Sequence, residues 1–182
     1  TKLIYPLSYT SNDGKTWEKV ERNLDYLKKV AKVKNRFIPD LTIRPEDFKI
    51  INYDFDSNGF LNTPLSVNLT GNDLTSFPFK FGSVGGDFRC YKNSLTSLQG
   101  APEKVGGCFN CGDNNLTSLE GAPKEVGVDF YCYNNKLTSL EGAPKEVKRI
   151  FDCSDNNLTS LKGAPQKVGG DFRCANNNLT SL

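Results

Sequence analysis

The chain has 182 residues, 37% of them hydrophobic and 24% charged, with a formal net charge of +2 at pH 7. A charge so near zero lacks the electrostatic footprint of a nucleic-acid-binding protein, and no run reaches the roughly 20 apolar residues of a membrane-spanning helix. Histidine is absent, which removes the commonest general base and the commonest metal ligand together.

Leu3, Ile4, Tyr5, Leu7 and Tyr9 read as a short extended segment. Its apolar run is too brief, and too soon broken by Pro6, for a signal peptide. The small first residue and the absence of methionine suggest a removed initiator. Ser11-Asn12-Asp13-Gly14 is a turn signal. The spacing of Trp17, Val20, Leu24, Leu27 and Ala31 then predicts a helix over 16–35, with Thr16 as N-cap, acids in its first turns and lysines toward its end. That basic end reads first as a solvated face matched to the helix dipole, and second as a contact surface for RNA or an acidic protein. Pro39 and Pro45 break the pattern. Residues 1–52 are expected to form a capping region, because the first coil of a repeat array exposes an apolar edge.

Asp54-Phe55-Asp56-Ser57-Asn58-Gly59 opens like a calcium-binding loop, but its twelfth position is Leu65, where a bidentate Glu is needed. The alternative is a degenerate first repeat, since Tyr53-x-Phe55-x-x-Asn58-x-Phe60 has the skeleton of the later repeats. From there one line recurs to the last residue: Phe-x-Cys-x-x-Asn-x-Leu-Thr-Ser-Leu, with Gly-Ala-Pro on the return. Its cysteines stand at 90, 111, 132, 153 and 174, a period of 21 residues without drift. A fixed period of this length marks a solenoid. Alternation places Phe88 and Cys90 inward with Leu95, Leu98 and Val84. The return, with two glycines and a proline, is expected to be extended or 3₁₀. The cysteine column reads as a core column of free thiols. Cys108 lies an odd number of residues from Cys111, so the two face opposite sides; no zinc site or other metal site is expected, and Cys108 is expected to be the exposed, reactive thiol.

The pattern Val-x-x-x-Phe-x-Cys-x-x-Asn-x-Leu-x-x-Leu resembles the leucine-rich repeats, in their short bacterial and bacteriophage style, over residues 53–182. The sequence departs from that style by one extra residue per unit, by Phe and Cys in the strand, and by Gly-Ala-Pro where Leu-Pro is usual. The resemblance implies a mainly β chain with an N-terminal α-helical cap, a solenoid with a parallel β ladder, and a ladder of Asn93, Asn114, Asn135, Asn156 and Asn177 bonding neighbouring coils. It also implies that the exposed face of the strand ladder is the binding surface.

On that face the side chains change from coil to coil while the inward ones stay constant. The binding candidates are Asp87, Arg89, Tyr91, Asn110, Asp129, Tyr131, Tyr133, Asp152 and Arg173, mixed aromatics and charges that suit a protein partner. The bland alternative is that outward positions are unconstrained. The functional expectation is a non-catalytic protein-binding module in a bacterial cytoplasm, encoded by a bacterium or phage, without cofactor, its partner a host factor or another phage or bacterial protein. Nucleic acid and membrane are not expected as partners. The alternative is a structural or virion component that self-associates through the edge at Leu179 and Leu182. No motif supports catalysis: the chain has no phosphate loop before a helix and no nucleophile with a recognisable base.

Overall fold

The structure, a computed structural model, describes residues 44–180. The helix expected over 16–35 and most of the 1–52 capping region lie outside the described residues, as does Leu182. Among the described residues no helix is long and apolar enough to cross a membrane.

After Arg44 comes a 3₁₀ turn, Pro45–Phe48, and then a hairpin: β1 (Asp54–Phe55) runs antiparallel to β2 (Leu61–Thr63). The degenerate-repeat reading of Tyr53–Phe60 is therefore corrected. Asp56-Ser57-Asn58-Gly59 makes a reversal, with Gly59 at φ 80°. One carboxylate oxygen of Asp56 accepts the backbone N–H groups of Asn58 and Phe60 at 2.8 and 3.1 Å, so this carboxylate serves the turn. Ile50, Phe48, Tyr53 and Phe55 pack on the first coil, covering the apolar edge that a solenoid must hide.

Each following 21-residue unit is one coil, and each coil carries two short strands. The Phe-x segments give β3 (Val67–Asn68), β5 (Phe88–Arg89), β7 (Phe109–Asn110), β9 (Phe130–Tyr131), β11 (Phe151–Asp152) and β13 (Phe172–Arg173), a six-stranded parallel sheet. The returns give β4 (Phe81–Val84), β6 (Lys104–Val105), β8 (Glu125–Val126), β10 (Glu146–Val147) and β12 (Lys167–Val168). With β2 and β1 these build a second sheet of seven strands, parallel but for β1. The molecule is thus a mainly β, parallel solenoid with two ladders joined through the Gly-Gly corner.

The core is the stack of inward columns. Phe88, Phe109, Phe130 and Phe151 are fully buried, and their rings stack with Phe172 at centroid spacings of 5.8, 5.3, 5.4 and 5.3 Å. Each such ring removed from water contributes about 1.5–3 kcal/mol. Cys90, Cys111, Cys132 and Cys153 lie beside them, fully buried, and Val84, Val105, Val126 and Val147 close the other side. All six cysteines are free. The asparagine ladder is present. Asn135 donates to the carbonyls of Cys111, Cys132 and Tyr133 at 3.0, 3.2 and 3.1 Å and accepts the N–H of Leu116 at 2.9 Å, and its counterparts repeat the pattern. Buried backbone at the turn is thereby satisfied by one side chain per coil.

Candidate functional site

The outward face of the six-stranded ladder is built by three columns of side chains, and the structure gives them different work. The column before the strand holds coils together. Ser66 accepts the N–H of Asp87 at 2.9 Å; Asp87 accepts that of Cys108 at 2.7 Å; Asp129 accepts that of Ile150 at 2.9 Å. Asp129 is buried. Asp87 and Asp129, expected as binding residues, are thus coil-to-coil ties. Alternation along one strand says which way a side chain points, not that a backbone donor of the next coil waits for it.

The strand column divides. Asn110 and Asp152 each turn a side-chain oxygen back onto a backbone N–H two residues on, of Gly112 and Ser154, both at 3.0 Å. They close the strand end locally. Arg89 and Arg173 project from the same column, exposed, each braced by an aspartate two residues earlier: Arg89 to Asp87 at 2.6 Å and Arg173 to Asp171 at 2.7 Å. Tyr131 stands between them.

The third column carries Tyr91 and Tyr133, both half-buried. The ring of Tyr133 lies over Gly112: a Cβ built there would sit 2.6–2.9 Å from three of its ring atoms. Only a glycine lets the ring lie down against the sheet. Tyr131 meets Tyr133 edge-on, centroids 6.4 Å apart at 75°. Burial, with Asp129 beside it, raises the Tyr131 hydroxyl above its ordinary value; burial chiefly raises that of Tyr133, which Asn110 partly offsets by hydrogen bonding. Both are neutral phenols at pH 7, able to donate and accept. The ammonium of Lys92 stands 5.8 Å from the Tyr91 ring centroid. Of the nine candidates, Asp129 is buried, and Asp87, Asn110 and Asp152 are half-buried like Tyr91, Tyr131 and Tyr133 while also bonding backbone.

Cys108 is, with Cys174, one of the two cysteines that are not fully buried. Its thiol is half-buried, 3.4 Å from a carboxylate oxygen of Asp129; burial raises it, partly offset by a backbone hydrogen bond at Asp129 and reinforced by that residue's carboxylate. A thiol raised in this way is a poor nucleophile near neutrality. At the last described coil Leu179 is partly buried against the core. Among the described residues no group of three or more Cys, Asp or Glu is placed to hold a metal ion. No protein-family model, curated protein or solved structure matches the chain.

Proposed function

We propose that the chain is a non-catalytic binding module whose outward six-stranded face holds another protein. The observation that carries the reading is the tyrosine pair, Tyr131 and Tyr133 packed edge to face with the Tyr133 ring over Gly112, in a face that also carries the braced Arg89 and Arg173 two coils to either side. Rigid aromatics and pre-oriented guanidinium groups lose little freedom on association, and Tyr and Arg dominate the energetics of protein interfaces. Kinship with the short leucine-rich repeats belongs to the same proposal, supported by the asparagine ladder and the 21-residue spacing. So does action in a bacterial cytoplasm, which rests on the style of the repeat alone.

The test is affinity capture from a bacterial lysate with the wild-type chain and with Arg89→Glu, Tyr131→Ala, Arg173→Glu combined, followed by hydrogen exchange of the complex. The expected result is a partner captured only by the wild type, with protection over residues 89–91 and 131–133. A partner retained by the triple variant would refute the reading.

A further inference from the structure

The other sheet carries a second surface. An open groove of about 1180 Å³ runs across β2, β4, β6, β8 and β10. Its lining includes Gly85, Gly106 and Gly127, whose N–H groups are bonded to the coil before. Its walls carry Lys104, Lys124, Lys145 and Lys148, with Asp54, Glu125 and Glu146 among them. The two glutamates are already engaged, Glu125 by Lys104 at 2.8 Å and Glu146 by Lys167 at 3.6 Å. Among the described residues no carboxylate pairs with Lys124, Lys145 or Lys148.

Lys148 is also where the repeat breaks its own rule. The corner reads Gly85-Gly86, Gly106-Gly107, Gly127-Val128 and Gly169-Gly170, but Lys148-Arg149 in one coil. The glycines are there for space: a Cβ at Gly106, Gly127 or Gly169 would run into the carbonyl of the residue one coil back. The coil with Lys148 gives up order accordingly. Gly106, Gly127 and Gly169 donate to Val84, Val105 and Val147 at 2.8, 2.9 and 3.0 Å. The register between β8 and β10 falls to the single pair Val147 with Val126, where the flanking pairs of strands keep two. A fold that needs glycine here has two cations instead, and one of them, Lys148, lines the groove beside the unpaired Lys124 and Lys145.

We propose that this groove docks an extended acidic polypeptide segment, its carboxylates on Lys124, Lys145 and Lys148. Neighbouring coils lie about 4.8 Å apart, so ammonium groups from successive coils bracket an extended chain. Nucleic acid fits less well, because bases need stacking platforms and, among the described residues, the groove's one aromatic is Tyr53, at its end. The site is separate from the tyrosine face and stands or falls apart from it.

The experiment is fluorescence anisotropy of the full chain with a fluorescein-labelled peptide of alternating glutamate and serine. A glutamine-for-glutamate peptide and a labelled oligothymidylate serve as comparators. Saturable binding of the glutamate peptide alone, weakening as salt rises, is expected. Lys124→Gln, Lys145→Gln, Lys148→Gln combined should weaken it about tenfold. Lys148→Gly with Arg149→Gly, which restores the repeat, should weaken it too, and Tyr131→Ala should leave it unchanged. Circular dichroism verifies each fold. Absence of saturable binding, equal binding by the folded lysine variants, or tighter binding of oligothymidylate would overturn the proposal, the last assigning the groove to single-stranded nucleic acid.

Discussion

At the scale of the residue, Asn135 and Gly112 matter for opposite reasons. Asn135 is buried and uses its whole amide on backbone, three carbonyls and one N–H. Asn135→Ala strands those groups without water, so stability should fall by about 3 kcal/mol, at the upper end of the penalty for an unsatisfied buried group. A shift in the urea midpoint at constant slope would register it. Gly112 works on the surface instead. Gly112→Ala places a methyl against the far end of the Tyr133 ring, a flexible side chain that can swing away. Stability should therefore change by no more than about 0.5 kcal/mol, while the tyrosine pair comes apart and partner capture is lost. Capture by a folded Gly112→Ala variant at wild-type strength would show that the ring's resting place is irrelevant.

Among the elements, the inward thiol column couples the fold to alkaline pH. Burial raises Cys90 and Cys132 well above the ordinary thiol value of 9.0, and burial with the neighbouring Cys174 pushes Cys153 up to about 12. In the unfolded chain these thiols ionise first, so the folded state holds more protons between the two values. Stability is then fully present below about pH 9 and declines as pH rises toward 12, by about 1.4 kcal/mol per pH unit for each thiol. Urea midpoints measured across this range should show the fall, and Cys132→Ala should make it shallower by one thiol's share. The column itself was legible in the sequence, since period and alternation together place Phe88, Cys90, Leu95, Leu98 and Val84 inside, and all five are buried. The return was expected to be extended or 3₁₀ and is extended, but its pairing into a second sheet was not legible. A two-residue strand such as Lys104–Val105 has one inward position, too few to display alternation. The hairpin hid for another reason: its turn, Asp56 to Gly59, happens to match the repeat's Asn spacing. On the outward face the sequence separated inside from outside but did not show which side chains tie coils together, because Asp87 and Asp129 act on donors a full coil away in the chain.

The whole molecule inherits a weak seam from the coil that breaks the glycine rule. Between β8 and β10 the register holds the single pair Val147 with Val126, where the flanking pairs of strands hold two. In a solenoid, where each coil touches only its neighbours, stability is a sum of such interfaces. Hydrogen exchange of the free chain should find that residues 145–180 open at a lower free energy than residues 84–120, two cooperative blocks rather than one. Uniform protection across Val126 and Val147 would deny the seam. The exactness of the 21-residue register carries a different consequence. Each coil's rungs bind whichever coil comes next, so a gene losing the codons for 106–126 would still encode a closed chain. Asp129, Tyr131 and Tyr133 would then stand directly against Asp87, Arg89 and Tyr91, with no glycine for Tyr133 to lie upon. Unequal recombination within such a gene rewrites the surface in whole coils, leaving the interior unaware of the edit.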